Sequence, residues 1–181
     1  MSSRPVLILP GYADSGPEHW QSHWERADSR CRRVIQRDWL EPRLDDWLVA
    51  LDRAIAECET PPVLAAHSLG CLLAVHRTLR SPDAAARPVK AALLVAPPDF
   101  ETVEPPEEIQ GFHPLPRGRL PFPSIVVAST DDPFTTLPRA RAAAEGWGSR
   151  LVTLEGAGHI NADSGFGPWP EGRKLLAELS Q

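Results

Sequence analysis

The sequence predicts an α/β protein: a compact, mostly parallel sheet of about six strands with helices on both faces. Two observations predict it. Short apolar runs alternate with segments of helical spacing along most of the chain. The first run, Val6-Leu7-Ile8-Leu9, carries no polar position and stops at Pro10-Gly11, as a strand buried on both faces does. The length of 181 residues suits one domain, 1–181, around one core.

The elements follow in order. Arg33 to Arg37 is a weaker strand candidate. Leu44 to Ala56 has helical spacing at Leu44, Trp47, Leu48, Leu51 and Ile55, with Asp45 and Asp46 suiting its N-terminal dipole. Pro62 to Ala66 reads as a strand and Leu69 to Leu79 as a helix apolar nearly all round at its start, hence buried. Lys90 to Ala96 and Ile125 to Ser129 are strands, Leu137 to Trp147 a helix and Leu151 to Leu154 a strand. Pro168 to Ser180 closes the chain as a helix with proline near its first turn. Pro98 to Pro123 breaks the rhythm; rich in Pro, Glu and Gly, it reads as a long excursion near the site, not a linker between domains.

Composition narrows the function classes. The net charge of -5 offers no basic footprint for nucleic acid. The three cysteines, Cys31, Cys58 and Cys71, are odd in number and widely spaced, which fits a reducing compartment rather than a disulfide framework. No apolar run approaches a membrane span or the core of a secretion signal, so a cytoplasmic, membrane-free protein is expected.

The strongest chemical signal is Ala66-His67-Ser68-Leu69-Gly70, which ends a strand and opens a helix. That is the place of a nucleophile elbow, where a serine stands on a sharp turn and small residues two positions away let strand and helix cross closely. A serine hydroxyl is a weak nucleophile and needs a histidine base oriented by a carboxylate. Three histidines follow Ser68: His76, two turns along the same helix, His113, in the excursion, and His159, in the Gly-flanked loop Gly156-Ala157-Gly158-His159 beyond the last strand. His159 is the expected base. The acid should follow the strand ending at Ser129; Asp131 and Asp132 both stand there, and Asp132, extended by the following Pro133, is preferred. Two backbone donors should hold a developing oxyanion, the amide of Leu69 and that of Tyr12 after Gly11.

Several longer stretches resemble the small serine-hydrolase family of α/β-hydrolases that includes YdeN and retinoblastoma-binding protein nine. They are Leu9-Pro10-Gly11-Tyr12, Asp14 to Gln21, Ala66 to Gly70, Ala128 to Pro133, Gly158 to Asn161 and Ser164 to Pro170. The resemblance implies a compact α/β-hydrolase fold with no separate cap domain, a triad of Ser68, Asp132 and His159, and esterase-like hydrolysis without cofactor or metal. A retinoblastoma-type Leu-x-Cys-x-Glu motif is not carried over: the nearest string, Leu69-Gly70-Cys71-Leu72-Leu73, lacks the Glu and lies on the helix expected to be buried. No protein partner is therefore named.

His19 and His23 stand four apart between Trp20 and Trp24; on a helix they would share a face as zinc ligands do, but the position after His19 holds Trp20 instead of a general-base Glu. His19, Trp20 and Trp169 are instead candidates for a substrate-pocket wall, with core packing the alternative for the tryptophans. The function expected is hydrolysis of small esters, with amides behind, through an acyl-enzyme on Ser68. The rivals are a non-enzymatic binding module on the same scaffold, or a carbon–carbon hydrolase or perhydrolase with the same triad.

Overall fold

The computed structural model describes residues 4–80 and 88–181. Its strands are β1 (Val6–Leu9), β2 (Cys31–Arg33), β3 (Val63–His67), β4 (Ala91–Val95), β5 (Ser124–Ser129) and β6 (Arg150–Leu154). The helices are α1 (Trp20–Ala27), α2 (Leu44–Ala56), α3 (Leu69–Arg80), α4 (Leu137–Trp147) and α5 (Pro170–Leu179). The six strands form one sheet in the order β2-β1-β3-β4-β5-β6, with every neighbouring pair parallel.

Strand side chains alternate between two apolar layers because successive residues point to opposite faces. Leu7, Leu9, Leu64, Ala66, Leu94 and Val126 pack with residues of α2, α3 and α4. Val6, Ile8, Ala65, Leu93 and Val127 pack with residues of α1 and α5. Burial on both sides explains why β1, β3 and β4 read as continuous apolar runs. Helix ends follow local chemistry. Pro138 sits in the first turn of α4, and Gly148, at φ +71°, closes that helix in the left-handed region.

One expected strand is displaced. The second strand is Cys31–Arg33, not Arg33 to Arg37. It lies at the sheet edge and buries Cys31, while Ile35 of the expected run is 68% exposed. The sheet ends before the apolar pair Val34-Ile35, so the run that suggested a strand lies mostly beyond it.

The topology creates a crevice. From the adjacent strands β1 and β3 the chain leaves to opposite faces, into α1 on one side and α3 on the other. In open α/β sheets the carboxyl ends of two such strands border the binding cleft. The excursion 98–123 takes the place of a helix between β4 and β5. Phe112 anchors it: its ring is buried edge-on against Trp47, and its carbonyl accepts a 3.0 Å hydrogen bond from Nε2 of His76. None of the described helices is long and apolar enough to cross a membrane.

Candidate active site

The site begins at the end of β3. Ser68 has φ +51°, a left-handed conformation that costs a non-glycine residue about 1–2 kcal/mol, and the surrounding contacts hold it there. Its amide donates to the Val95 carbonyl at 2.9 Å, tying the turn to β4. Gly70 explains why a small residue follows: a Cβ there would lie 2.2 Å from the Leu9 carbonyl oxygen and 2.8 Å from that of Pro10. At Gly11 a Cβ would lie 2.9 Å from Ser68 Cβ and 3.2 Å from the Leu69 nitrogen. The turn after β1 and the first amide of α3 thus border the same space. The Leu69 N–H opens α3 and has no helical carbonyl one turn back, so it is available to a ligand.

His159 meets Ser68. Its Nε2 lies 2.9 Å from Ser68 Oγ, and its Nδ1 lies 2.9 and 3.0 Å from the two carboxylate oxygens of Asp132. A carboxylate only accepts, so Nδ1–H donates to Asp132 and Nε2 is left to accept the serine proton. The Asp132 carboxylate is buried and also accepts the Phe134 amide at 2.9 Å, which fixes its rotamer.

Asp131 does something else. Its Oδ1 accepts from Ser129 Oγ at 2.6 Å and from the Gly158 amide at 2.7 Å, and these bonds hold its carboxyl below the usual range. Ser129 Oγ accepts the Ala157 amide at 2.9 Å, and Thr130 Oγ1 accepts the Gly156 amide at 3.0 Å. The end of β5 therefore straps down the loop that carries His159. From the other side, Nε2–H of His67 donates to the His159 carbonyl at 2.8 Å. The other two histidines after Ser68 take no part: His76 is buried against Phe112, and exposed His113 lies 3.9 Å from Glu101.

The pocket expectations divide. His19 lines a cavity of about 440 Å³ together with Gly11, Tyr12, Ser68, Leu69 and His159. It caps α1 rather than lying on it, its Nδ1 accepting the Gln21 amide at 3.2 Å. Burial, aided by the Arg33 charge, pushes its pKa down to about 3, so the ring is neutral near pH 7. A neutral ring that accepts at Nδ1 carries its proton on Nε2, which finds no protein acceptor among the described residues. His23 is not among the residues lining the cavity; its Nε2 lies 3.5 Å from Glu18.

Trp20 and Trp169 do not wall the cavity. Both rings are buried in the layer between the sheet and α1 and α5, with Trp169 stacked on Trp24 at 5.9 Å. Their neighbourhood to the site in sequence misleads because they lie behind the His159 loop, not in front of it. Trp20 still serves that loop: its Nε1–H donates to the Ile160 carbonyl at 3.0 Å.

The roles of Gln21 and Arg33 gave no sequence signal. Gln21 is fully buried, and its amide nitrogen donates to the Leu9 and Ala65 carbonyls at 3.0 Å each, clasping the end of β1 to the middle of β3. Its Oε1 accepts the Ser15 hydroxyl at 2.6 Å. Arg33 reaches Asp14 at 2.6 Å and Glu25 at 3.1 Å, fastening the cavity's first loop to α1. A buried glutamine bonding two strand carbonyls has no local pattern. The strap was half visible, since Ser129, Thr130 and Asp131 offer three successive polar side chains at a strand end.

A parallel sheet with a serine on the elbow after its third strand and a histidine reaching it from beyond the last defines an α/β-hydrolase. Residues 6–178 match the model of the family described as serine hydrolase, and the chain belongs to that family. A YdeN-like hydrolase from Pectobacterium atrosepticum is 38% identical, with a TM-score of 0.85 over 98% of this chain and 91% of that one. The ydeN gene product of B. subtilis is 23% identical, with a TM-score of 0.73 over 97% and 98%. The type II thioesterase BorB from the borrelidin biosynthetic cluster shares the fold at 19% identity, with a TM-score of 0.67 over 100% and 94%. No curated protein matches the chain in sequence.

Proposed function

We propose that this hydrolase cleaves small carboxylic esters, with amides as poorer substrates, through an acyl-enzyme on Ser68. The observation that carries the reading is the unbroken line from Asp132 through His159 to Ser68, with 2.9 Å at each link. Ser68 Oγ attacks the substrate carbonyl as His159 Nε2 takes its proton. Asp132 keeps the ring in the tautomer that can accept and stabilises the imidazolium that forms. The Leu69 and Tyr12 amides receive the tetrahedral oxyanion. His159 then returns the proton to the leaving alcohol, and water cleaves the acyl-enzyme by the same route.

The cavity supports the substrate class. Its volume of about 440 Å³ lies at the small end of ligand sites. Pro98, Phe100, Pro106 and Ile109 of the excursion give it an apolar wall. A short acyl chain suits that wall. The test is labelling with a fluorophosphonate probe, beside a panel of chromogenic esters of rising acyl length. Labelling of the native protein, absent in Ser68→Ala, with turnover falling as acyl chains lengthen, supports the reading. Equal labelling of both proteins, or none of either, refutes the acyl-enzyme; a preference for long chains refutes the substrate class.

A further inference from the structure

We infer that the site selects its ester by the charge of the leaving alcohol, favouring cationic over anionic alcohols, and that Asp163 is the discriminating group. The inference rests on the proposed ester hydrolysis and adds the chemistry of the leaving group.

Among the described residues the cavity lining contains no lysine or arginine, and its carboxylates are those of Asp14 and Asp163. Two lining histidines, His19 and His67, are held neutral by burial and supply no compensating charge. The two carboxylates are not equivalent. Asp14 is engaged from behind by the Arg33 guanidinium at 2.6 Å and by the Ser15 amide at 2.7 Å. Asp163 is exposed, lines the cavity and makes no ion pair among the described residues, so no salt bridge offsets its charge.

Position assigns that charge to the leaving group. His159 has to hand its proton to the departing oxygen, so the alcohol lies on the His159 side of Ser68. Asn161, Ala162 and Asp163, from the loop that carries His159, line the cavity, whereas the excursion supplies the apolar residues that suit the acyl group. Phe134 adds a second feature favourable to a cation. It lines the cavity, is 50% exposed, and its ring lies 4.6 Å from that of His159. A cavity lined by an aromatic ring and an unpaired carboxylate attracts a quaternary or primary ammonium and repels an anion.

The test uses three butyrate esters of similar shape: that of choline, that of the neutral isostere 3,3-dimethylbutanol, and that of isethionate, which is anionic. At low ionic strength kcat/KM should fall in that order, with about a tenfold span between cation and anion, and 0.5 M salt should compress it. Asp163→Asn should narrow the span to about threefold. Ratios between substrates do not depend on how much of a variant is folded. Ser68-dependent turnover without charge order, or a span unchanged in Asp163→Asn, overturns the charge selection alone. Absence of Ser68-dependent turnover of all three esters overturns the hydrolysis reading with it.

Discussion

The imidazole of His67 donates its Nε2–H to the main-chain carbonyl of His159 at 2.8 Å. The residue preceding the proposed nucleophile thus holds the backbone of the proposed base, 92 positions along the chain. A carbonyl oxygen only accepts, so His67 must carry its proton on Nε2, and full burial keeps the ring neutral. His67→Phe should leave the His159 carbonyl unpaired and cost about 1–3 kcal/mol of stability. As a positioning residue, His67 should affect kcat more than KM. Urea unfolding and steady-state kinetics on one ester check both; a lost kcat with native stability would contradict the bond's structural part.

Buried histidines, His19 and His67 among them, set an acid limit on stability. The folded-state pKa of His19 is about 3, against 6.5 for the free side chain, and that of His67 is also pushed well down by burial. Between those two values the unfolded chain binds a proton that the folded chain does not. Stability therefore rises with pH through this window and falls as pH drops below about 6.5. For His19 alone the loss from pH 7 to 4.5 should be about 2–3 kcal/mol. His19→Asn removes the titrating ring yet keeps a side-chain oxygen that can cap α1. Urea midpoints across pH 4.5–7 should vary less in His19→Asn than in the native chain; an identical slope would show that His19 is protonated when folded.

Glycine positions around the elbow should respond unequally. Gly70→Ala drives a methyl into two strand-end carbonyls, the nearer at 2.2 Å, and backbone on both sides prevents relief. It should destabilise by about 3 kcal/mol or more. Gly146→Ala, in α4, meets nothing within 4 Å among the described residues and should stabilise by about 0.5–1 kcal/mol. Thermal unfolding of the two variants gives the comparison, and a tolerated Gly70→Ala would mean that strand and helix do not approach as closely as described.

What the sequence reveals of this fold depends on burial. β1, β3, β4 and β5 are buried at every position, so their apolar runs are unmistakable. Edge strand β2 buries only Cys31 of its three residues and leaves no comparable trace. Ser68 and His159 are legible because each needs a particular local backbone, a strand-to-helix turn and a glycine-flanked loop. Trp20 and Trp169 were not, since a tryptophan near a site in sequence can stand on either side of a loop, and only the packing of α1 and α5 places both behind it. Asp131 and Asp132 offer the same carboxyl one residue apart, and a preference based on Pro133 says nothing about the other's use. The structure gives each carboxylate its own work, one on the ring and one on the loop.

That division is the sharpest test of the site. Asp132→Asn keeps the shape but replaces a pure acceptor by a group that can also donate, which favours the wrong tautomer of His159. Activity should fall by about 10³–10⁴ in kcat with little change in folding. Asp131→Ala leaves the Ser129 hydroxyl and the Gly158 amide without their acceptor, so it should cost about 1–2 kcal/mol of stability. Its kcat should fall only about tenfold, because the Ala157 and Gly156 amides still hold the loop through Ser129 and Thr130. The loss in Asp131→Ala should shrink in a background that tightens the loop, whereas the loss in Asp132→Asn should not. Steady-state kinetics and urea unfolding of both variants decide the matter. If Asp131→Ala lost as much kcat as Asp132→Asn while remaining equally stable, the acid would have been assigned to the wrong carboxylate.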